Sequence, residues 1–146
     1  MNARIGLVLS RQGGALKTML FSFLLGLGGR AGSGKQWMSW ISITDLVEAL
    51  IFCLENPKIT GPTNLVSPSP VTNSTFTETL AQVINRPAVI PLPTLAAKLI
   101  FGQMGQETIL SNLRVSPKKL EQAGFTFTHQ ALGATLEQLL DKKFRD

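Results

Sequence analysis

The chain has 146 residues, of which 44% are hydrophobic and 16% charged, so its length fits one domain that can bury a core. Its single cysteine excludes an intrachain disulfide framework. The net charge of +5 comes without a run of basic residues, without aromatic residues between them and without any tyrosine, which argues against nucleic-acid binding.

The first 35 residues predict a strand, a helix and a loop. The apolar run RIGLVLS at 4–10 is typical of a strand covered on both faces in a parallel sheet. Apolar residues with helical spacing follow at 15–27, and glycines dominate the loop at 26–34. The segment at 19–27 imitates the core of a signal peptide but is too short to span a bilayer, so we expect no membrane segment.

The stretch at 36–57 predicts a short strand followed by a helix. Thr44 is placed to cap this helix, and Asp45 and Glu48 lie where the positive end of the helix dipole favours anions. Cys53 falls on the same helix and is expected to be a buried small hydrophobe. The predicted apolar stripe consists of Leu46, Val47, Leu50, Ile51 and Leu54.

The remaining residues predict mostly helices. TNLVS at 63–67 is expected to form a short parallel strand, and the polar, proline-rich connector at 67–73 to separate two lobes. AVIPLP at 88–93 is expected to be an edge strand or extended segment, and FTFT at 125–128 alternates like a strand. Helices are predicted over 73–85 (capped by Thr72 or Asn73), 94–101, 106–113, from the Ser116-Pro117 start signal to Gly124, and over 130–143.

Two segments nearly match nucleotide-binding motifs, and neither predicts a site. GRAGSGK at 29–35 has phosphate-loop spacing, but Gln36 stands where a hydroxyl must ligate magnesium, and no helix follows. GLGGRA at 26–31 meets the loose dinucleotide pattern, but it follows a predicted helix and opens none. We therefore treat both as parts of one loop.

No catalytic or metal-binding set is predicted. His129 is the only histidine and lacks an evident nucleophile beside it, so we expect a structural role. The nine acidic residues show no metal-ligand spacing. Trp37 and Trp40 would face opposite sides of a strand, which leaves two alternatives: both pack in the core, or one packs in the core and the other lines a pocket.

Four stretches carry a family resemblance: RIGLVLSRQGGAL at 4–16, GLGG with GSGKQWMSWISITDLVEAL at 26–50, GPTNLVSPSPVTNSTF at 61–76 and RVSPKKLEQAGF at 114–125. Together they resemble the C-terminal half of an atypical short-chain dehydrogenase/reductase, of the NAD(P)-dependent epimerase family type labelled cell-division-inhibitor homologues. The resemblance implies an α/β fold. Residues 1–66 would be the C-terminal part of a Rossmann-like parallel sheet, and 67–146 a small helix-rich substrate lobe.

The chain departs from that family in its cofactor and catalytic motifs. The glycine fingerprint after the first strand and the Tyr-x-x-x-Lys pair are both missing, and the chain contains no tyrosine. The resemblance implies NADP or NAD for the full-length family. For this chain alone we expect no cofactor and no catalytic residue, and we interpret it as a fragment, a truncated reading frame or a split half.

The resemblance also implies where a substrate would lie. Residues after the strand at 4–10 and in the glycine-rich loop would face it, and the candidates are Ser10, Arg11, Lys17, Gln36 and Trp40. The charge distribution gives separate support, because residues 1–44 contain five basic residues and no acid. This excess suits a phosphorylated or nucleotide-linked small molecule, or else it is a solvated basic face.

Two functions follow as hypotheses. The first is the substrate-binding half of an NAD(P)-dependent epimerase/dehydratase-like oxidoreductase in the cytoplasm, inactive alone. The second is a non-catalytic interaction module that pairs with itself, with a regulatory partner or with a missing Rossmann half. An edge strand without its neighbours favours such association.

Overall fold

The computed structural model describes residues 1–104, 107 and 109–140. Strands and helices alternate along the first half, and helices dominate the second. The strands are β1 (Asn2–Ile5), β2 (Leu7–Leu9), β3 (Trp37–Met38), β4 (Trp40–Ser42), β5 (Pro62–Leu65) and β6 (Val71–Thr72). The helices are α1 (Gly14–Leu24), α2 (Ile43–Glu55), α3 (Asn73–Ile84), α4 (Thr94–Met104), α5 (Lys118–Gln122) and α6 (Leu132–Leu139).

The predicted strand at 4–10 is present as two short strands that change partner at Gly6. The prediction that it is covered on both faces is wrong for β1, where every residue is exposed. β1 pairs in parallel with β5, and β2 pairs in parallel with β4. The Gly6 N–H donates to the Leu65 carbonyl at 3.3 Å, and the next N–H, of Leu7, donates to the Ser39 carbonyl at 2.8 Å. A glycine is needed at this point because a Cβ would collide with the Ser39 carbonyl oxygen.

β4 lies between β2 and the segment that follows β5. Its neighbour Ser39 presents a carbonyl to β2, whereas the Trp40 carbonyl accepts a hydrogen bond from the Ser67 N–H at 2.6 Å. Consecutive carbonyls of a strand point to opposite edges, so β4 is bonded on both sides. The parallel strand predicted at 63–67 is observed as β5, which begins at Pro62 and ends at Leu65.

Two apolar clusters hold the chain together. The first packs α1, α3 and α6 against β2 and β4, and its largest fully buried members are Leu9, Leu16, Met38, Trp40, Phe76, Leu80, Ile109 and Leu136. The second packs α2 and α5 against β4 and β5, with Ile41, Leu46, Ala49, Cys53, Leu65, Leu120 and Phe127 buried. The predicted boundary between 1–66 and 67–146 stays a prediction; β3 pairs with β6 across it.

Helix α2 differs from its prediction at its start and on its buried face. Ser42, not Thr44, caps it, because the Ser42 Oγ accepts a hydrogen bond from the Asp45 N–H at 3.1 Å. The predicted stripe is only partly buried, and Val47, Ile51 and Leu54 are exposed. The buried face consists of Asp45, Leu46, Ala49 and Cys53. The spacing of apolar residues does not identify the buried face of α2, because this helix is apolar on two sides.

The helix caps after residue 70 show one success and one error. Thr72 caps α3 as predicted, since its Oγ1 accepts from the Thr75 N–H at 3.3 Å. Ser116 does not cap α5; Pro117 occupies the cap position and no side chain bonds there. Helix α4 continues to Met104 and is interrupted at Gly102, whose φ is +58°.

FTFT at 125–128 is not a strand. Phe127 is buried in the second cluster, and its ring meets that of Phe125 edge-on with centroids 4.9 Å apart. The backbone N–H groups of Thr128 and His129 bond to the Asp45 carboxylate instead of a neighbouring strand. The alternation of apolar residues at 125–128 therefore reflects the packing of the phenylalanine rings and not pairing with another strand.

Three further predictions differ in extent. The segment at 88–93 has no strand beyond a single bridge between Ala31 and Leu92. Of the predicted helix at 106–113, residues 106 and 108 lie outside the described residues and 110–113 are not helical. The predicted last helix at 130–143 is observed as α6, and residues 141–143 lie outside the described residues.

Candidate functional site

The turn between β2 and α1 gathers three of the predicted site residues. Ser10 follows β2 directly, and its Oγ accepts a hydrogen bond from the Gln12 N–H at 3.3 Å. Arg11 comes next and is exposed, and Lys17 is exposed near the start of α1. Because ligands of parallel α/β sheets bind beyond the carboxyl ends of strands, this turn is well placed for a site.

The start of α1 is open to an anion. Gly13 occupies the cap position, no side chain caps the helix, and its first turn contains no acidic residue. Space around Gly13 and Gly14 is free, since a Cβ at either position would meet no atom within 4 Å. The positive end of the helix dipole and the uncapped N–H groups therefore act together with two basic side chains.

Gln36 and Trp40 occupy a different environment from the turn. The Gln36 side chain is buried, and its Nε2 donates to the carbonyls of Ala31 at 2.9 Å and Ile109 at 3.2 Å. Trp40 is fully buried, and its Nε1 donates to the Ser69 carbonyl at 2.8 Å. Both side chains are thus bonded inside the protein. The prediction that all five candidates contact a substrate stays a prediction.

A cavity of about 510 Å³ lies beside the junction of β1 and β2. Trp37, rather than Trp40, lines it, and the Arg114 guanidinium stacks 4.3 Å from the Trp37 ring centroid. Ser39 also lines the cavity and fixes its wall, because the Ser39 Oγ donates to the Leu113 carbonyl at 2.8 Å and accepts from the Val115 N–H at 2.9 Å.

A buried polar cluster at the start of α2 was missed from the sequence. The Ser42 Oγ lies 2.9 Å from His129 Nδ1, and His129 Nε2 lies 2.9 Å from the Gln138 Oε1. The Asp45 carboxylate accepts the N–H groups of Thr128 and His129, both at 2.9 Å. The sequence did contain a signal, since Ser42-Ile-Thr-Asp45 is a capping-box pattern.

This cluster contains Ser, His and Asp but is not arranged for nucleophilic catalysis. In a catalytic triad the serine and the carboxylate bond to opposite ring nitrogens of the histidine. Here both Ser42 Oγ and Asp45 Oδ2 lie on the Nδ1 side, at 2.9 and 3.9 Å. Ser42 and Asp45 are also fully buried. The burial and the hydrogen bonds of His129 fit its predicted structural role, which stays a prediction.

Two further classes of site can be assessed in the described part of the chain. Over those residues, no group of three His, Cys, Asp or Glu side chains could hold a metal ion. Within the same residues, no helix is both long and apolar enough to cross a membrane. Burial raises the pKa of the Cys53 thiol, which disfavours a nucleophilic thiolate at that position.

Comparison with known proteins confirms the resemblance seen in the sequence. Residues 92–139 match a family described as a domain of unknown function, DUF1731, the C-terminal domain of epimerase family proteins. An epimerase family protein of Mycobacterium bovis is 46% identical over 92% of this chain, and one of Staphylococcus aureus is 41% identical over 95%. The chain spans 44% and 46% of these two relatives, less than half of each.

Solved structures agree on the fold. The crystal structure of a human epimerase family protein with NADPH has a TM-score of 0.85 and 39% identity, with 94% of this chain and 46% of that chain covered. A nucleoside-diphosphate sugar epimerase from Corynebacterium glutamicum has a TM-score of 0.69 and 32% identity, with 94% and 26% covered. The predicted α/β class, with Rossmann-type epimerases as neighbours, is thereby confirmed. The chain is similar to the C-terminal part of such proteins.

Proposed function

We propose that this chain is the substrate-binding part of an NAD(P)-dependent, epimerase/dehydratase-like oxidoreductase. In this proposal the turn between β2 and α1 binds the phosphate groups of a nucleotide-linked substrate. The observation that carries it is the uncapped, acid-free start of α1, with Arg11 and Lys17 beside it. The nucleoside-diphosphate sugar epimerase among the similar structures supports the choice of substrate class.

Each part of the turn has a separate task in this proposal. The guanidinium of Arg11 can bond two phosphate oxygens at once, whereas the ammonium of Lys17 acts as a point charge. The N–H groups at the start of α1 add hydrogen-bond donors, and their binding to phosphate costs no side-chain conformational entropy. Gln36 and Trp40 would act indirectly, by holding the loop at 30–36 and the start of β4 in place through their internal hydrogen bonds.

The glycine-rich loop at 26–34 does not fit the pyrophosphate of a dinucleotide. The loop at 26–34 opens no helix, and Gly34 is packed against the Ser74 side chain, so no N–H cradle for a pyrophosphate is formed there. The chain contains no tyrosine for proton transfer to a substrate oxygen. We therefore assign NAD or NADP binding and the chemical step to residues outside this sequence and derive no step through the cofactor.

A titration of the labelled chain tests the proposal. UDP-glucose is added to ¹⁵N-labelled protein, and we expect amide shifts concentrated between Ser10 and Lys17. Arg11→Ala should weaken binding about 10- to 100-fold, because a charge-assisted hydrogen bond contributes roughly 1.5–3 kcal/mol. Lys98→Ala, at an exposed position on α4, is the matched control and should leave binding unchanged.

Two results would contradict this function. Unchanged UDP-glucose affinity in Arg11→Ala would remove the turn as the phosphate site. Binding of NADPH to the chain alone, with a dissociation constant in the micromolar range, would show that the dinucleotide site lies within these residues.

A non-catalytic interaction module is the second candidate. The exposed apolar residues Val47, Ile51 and Leu54 on α2 favour it. Under this alternative the chain associates with another protein but shows no response to nucleotide sugars.

A further inference from the structure

The outer faces of α1 and α4 are apolar although they point away from the core. The buried residues of α1 share one side of the helix, and Phe21 and Leu25, on the opposite side, are 66 and 59% exposed. On α4 the inward residue Ala97 is buried. Leu95 and Leu99 lie one turn apart on the other side of α4 and are 72 and 79% exposed. Both helices thus present large apolar side chains to solvent.

The segments that follow α1 and precede α4 join these two faces. The Leu92 N–H donates to the Arg30 carbonyl at 2.9 Å. Gly29 lies so close to Ile90 that a Cβ on the glycine would collide with the Ile90 carbonyl oxygen. Leu27 and Ile90 are exposed at this junction. We call the following six residues the apolar patch: Phe21, Leu25, Leu27, Ile90, Leu95 and Leu99.

The apolar patch has a positively charged border. The two segments that form it, 14–35 and 86–104, contain no Asp or Glu. Lys98 is exposed beside Leu95 and Leu99 on α4. Glu78 of α3 lines a groove together with Arg30 and offsets one of the basic residues. The basic residues of the two segments are Lys17, Arg30, Lys35, Arg86 and Lys98.

The exposed apolar face of α2 differs from this patch in charge. Leu54 on α2 is 80% exposed, which matches the exposure of Leu99. However, α2 contains three acidic residues and no basic residue. A negatively charged partner would therefore bind the apolar patch in preference to α2.

We propose that the apolar patch docks the protein onto the surface of a bilayer that contains anionic lipids. Acyl chains accept aliphatic side chains without a preformed pocket, and anionic headgroups attract the basic border. Docking on the surface needs no membrane-spanning helix. This proposal is independent of the nucleotide site in the turn between β2 and α1.

Two other occupants fit the apolar patch less well. A protein partner is normally held by Trp, Tyr or Arg anchors, whereas five of the six patch residues are Leu or Ile. A second copy of this chain, related by a twofold axis, would bring two positive borders together.

Co-sedimentation of the whole chain with vesicles tests the proposal. One set of vesicles is phosphatidylcholine alone, and the other contains about one third phosphatidylglycerol. We expect binding to the second set that weakens as salt is added. Leu99→Glu should weaken it at least about 10-fold, because it removes an inserted apolar side chain and sets a carboxylate against anionic headgroups. Leu54→Glu, at a position of equal exposure, is the matched control and should leave binding unchanged.

Lys98→Ala examines the contribution of charge. It should weaken binding to the anionic vesicles about 5-fold, because one contact between an ammonium and the headgroups is lost. Binding to phosphatidylcholine vesicles should not change. The same variant should bind UDP-glucose as the wild type does, so the lipid surface and the nucleotide site are tested separately.

Four results would overturn the proposal. The first is no sedimentation with either set of vesicles, and the second is an equal loss of binding in Leu99→Glu and Leu54→Glu. The third is a dimer that Leu99→Glu dissociates, without vesicle binding, because the occupant would then be a second copy. The fourth is vesicle binding that Arg11→Ala abolishes and Leu99→Glu does not, because the headgroup would then lie in the turn between β2 and α1.

Discussion

Replacing Asp45 by alanine should destabilise the protein far more than the loss of one small side chain normally does. The carboxylate is fully buried and accepts two backbone hydrogen bonds of 2.9 Å, from Thr128 and His129. The buried His129 N–H, left without an acceptor, costs about 1–3 kcal/mol, and the partly buried Thr128 N–H adds a smaller cost. Small domains have only about 5–15 kcal/mol of unfolding free energy, so this is a large fraction.

Urea denaturation followed by tryptophan fluorescence measures this cost. Asp45→Asn keeps one acceptor oxygen and should fall between the wild type and Asp45→Ala. Glu48→Ala is the matched control, because it removes an exposed carboxylate from the same helix and should change the free energy by about 0.5 kcal/mol or less. If Asp45→Ala is no less stable than Glu48→Ala, the carboxylate does not anchor the segment at 125–130 and our account of it is wrong.

Two further experiments, one on a glycine and one on the cysteine, test other parts of the fold. Gly6→Ala should lower the free energy of unfolding by about 1–3 kcal/mol, because its Cβ meets the Ser39 carbonyl oxygen. Gly133→Ala, whose Cβ makes only an ordinary contact with the Thr79 side chain, should not, and equal melting temperatures of the two variants would contradict the change of strand partner at Gly6. Burial raises the pKa of the Cys53 thiol, so at pH 8 the native protein should react with Ellman's reagent more slowly than the urea-unfolded chain; equal rates would contradict its burial.

Local signals predicted the parts of the fold that depend on neighbours in sequence. Spacing and capping chemistry alone predict three features: the strand segment within 4–10, the strand that ends at Leu65, and a helix that begins after Thr72. The family resemblance added the fold class, because the four matching stretches run through most of the chain. These predictions needed no knowledge of distant contacts.

Distant contacts decided what the sequence left open. Which apolar side of α2 meets the sheet depends on where β4 and β5 lie, and periodicity does not contain that information. FTFT forms a loop in which Phe127 is buried, because Asp45, 80 residues before Phe125, supplies acceptors for the backbone that follows Phe127. The five predicted site residues include both kinds. Ser10 and Arg11 are located by the end of a strand, whereas the burial of Trp40 depends on packing within the first apolar cluster.

The change of partner at Gly6 has a consequence for biosynthesis. β1 is complete only when residues 62–65 arrive, and Asn2 is paired with Pro62, so the chain must close a long loop before its first strand is held. At about 5–20 residues per second, the first strand emerges seconds before its partner. During that interval β1 is unpaired, and a chaperone that binds extended apolar segments would find a target in residues 2–9.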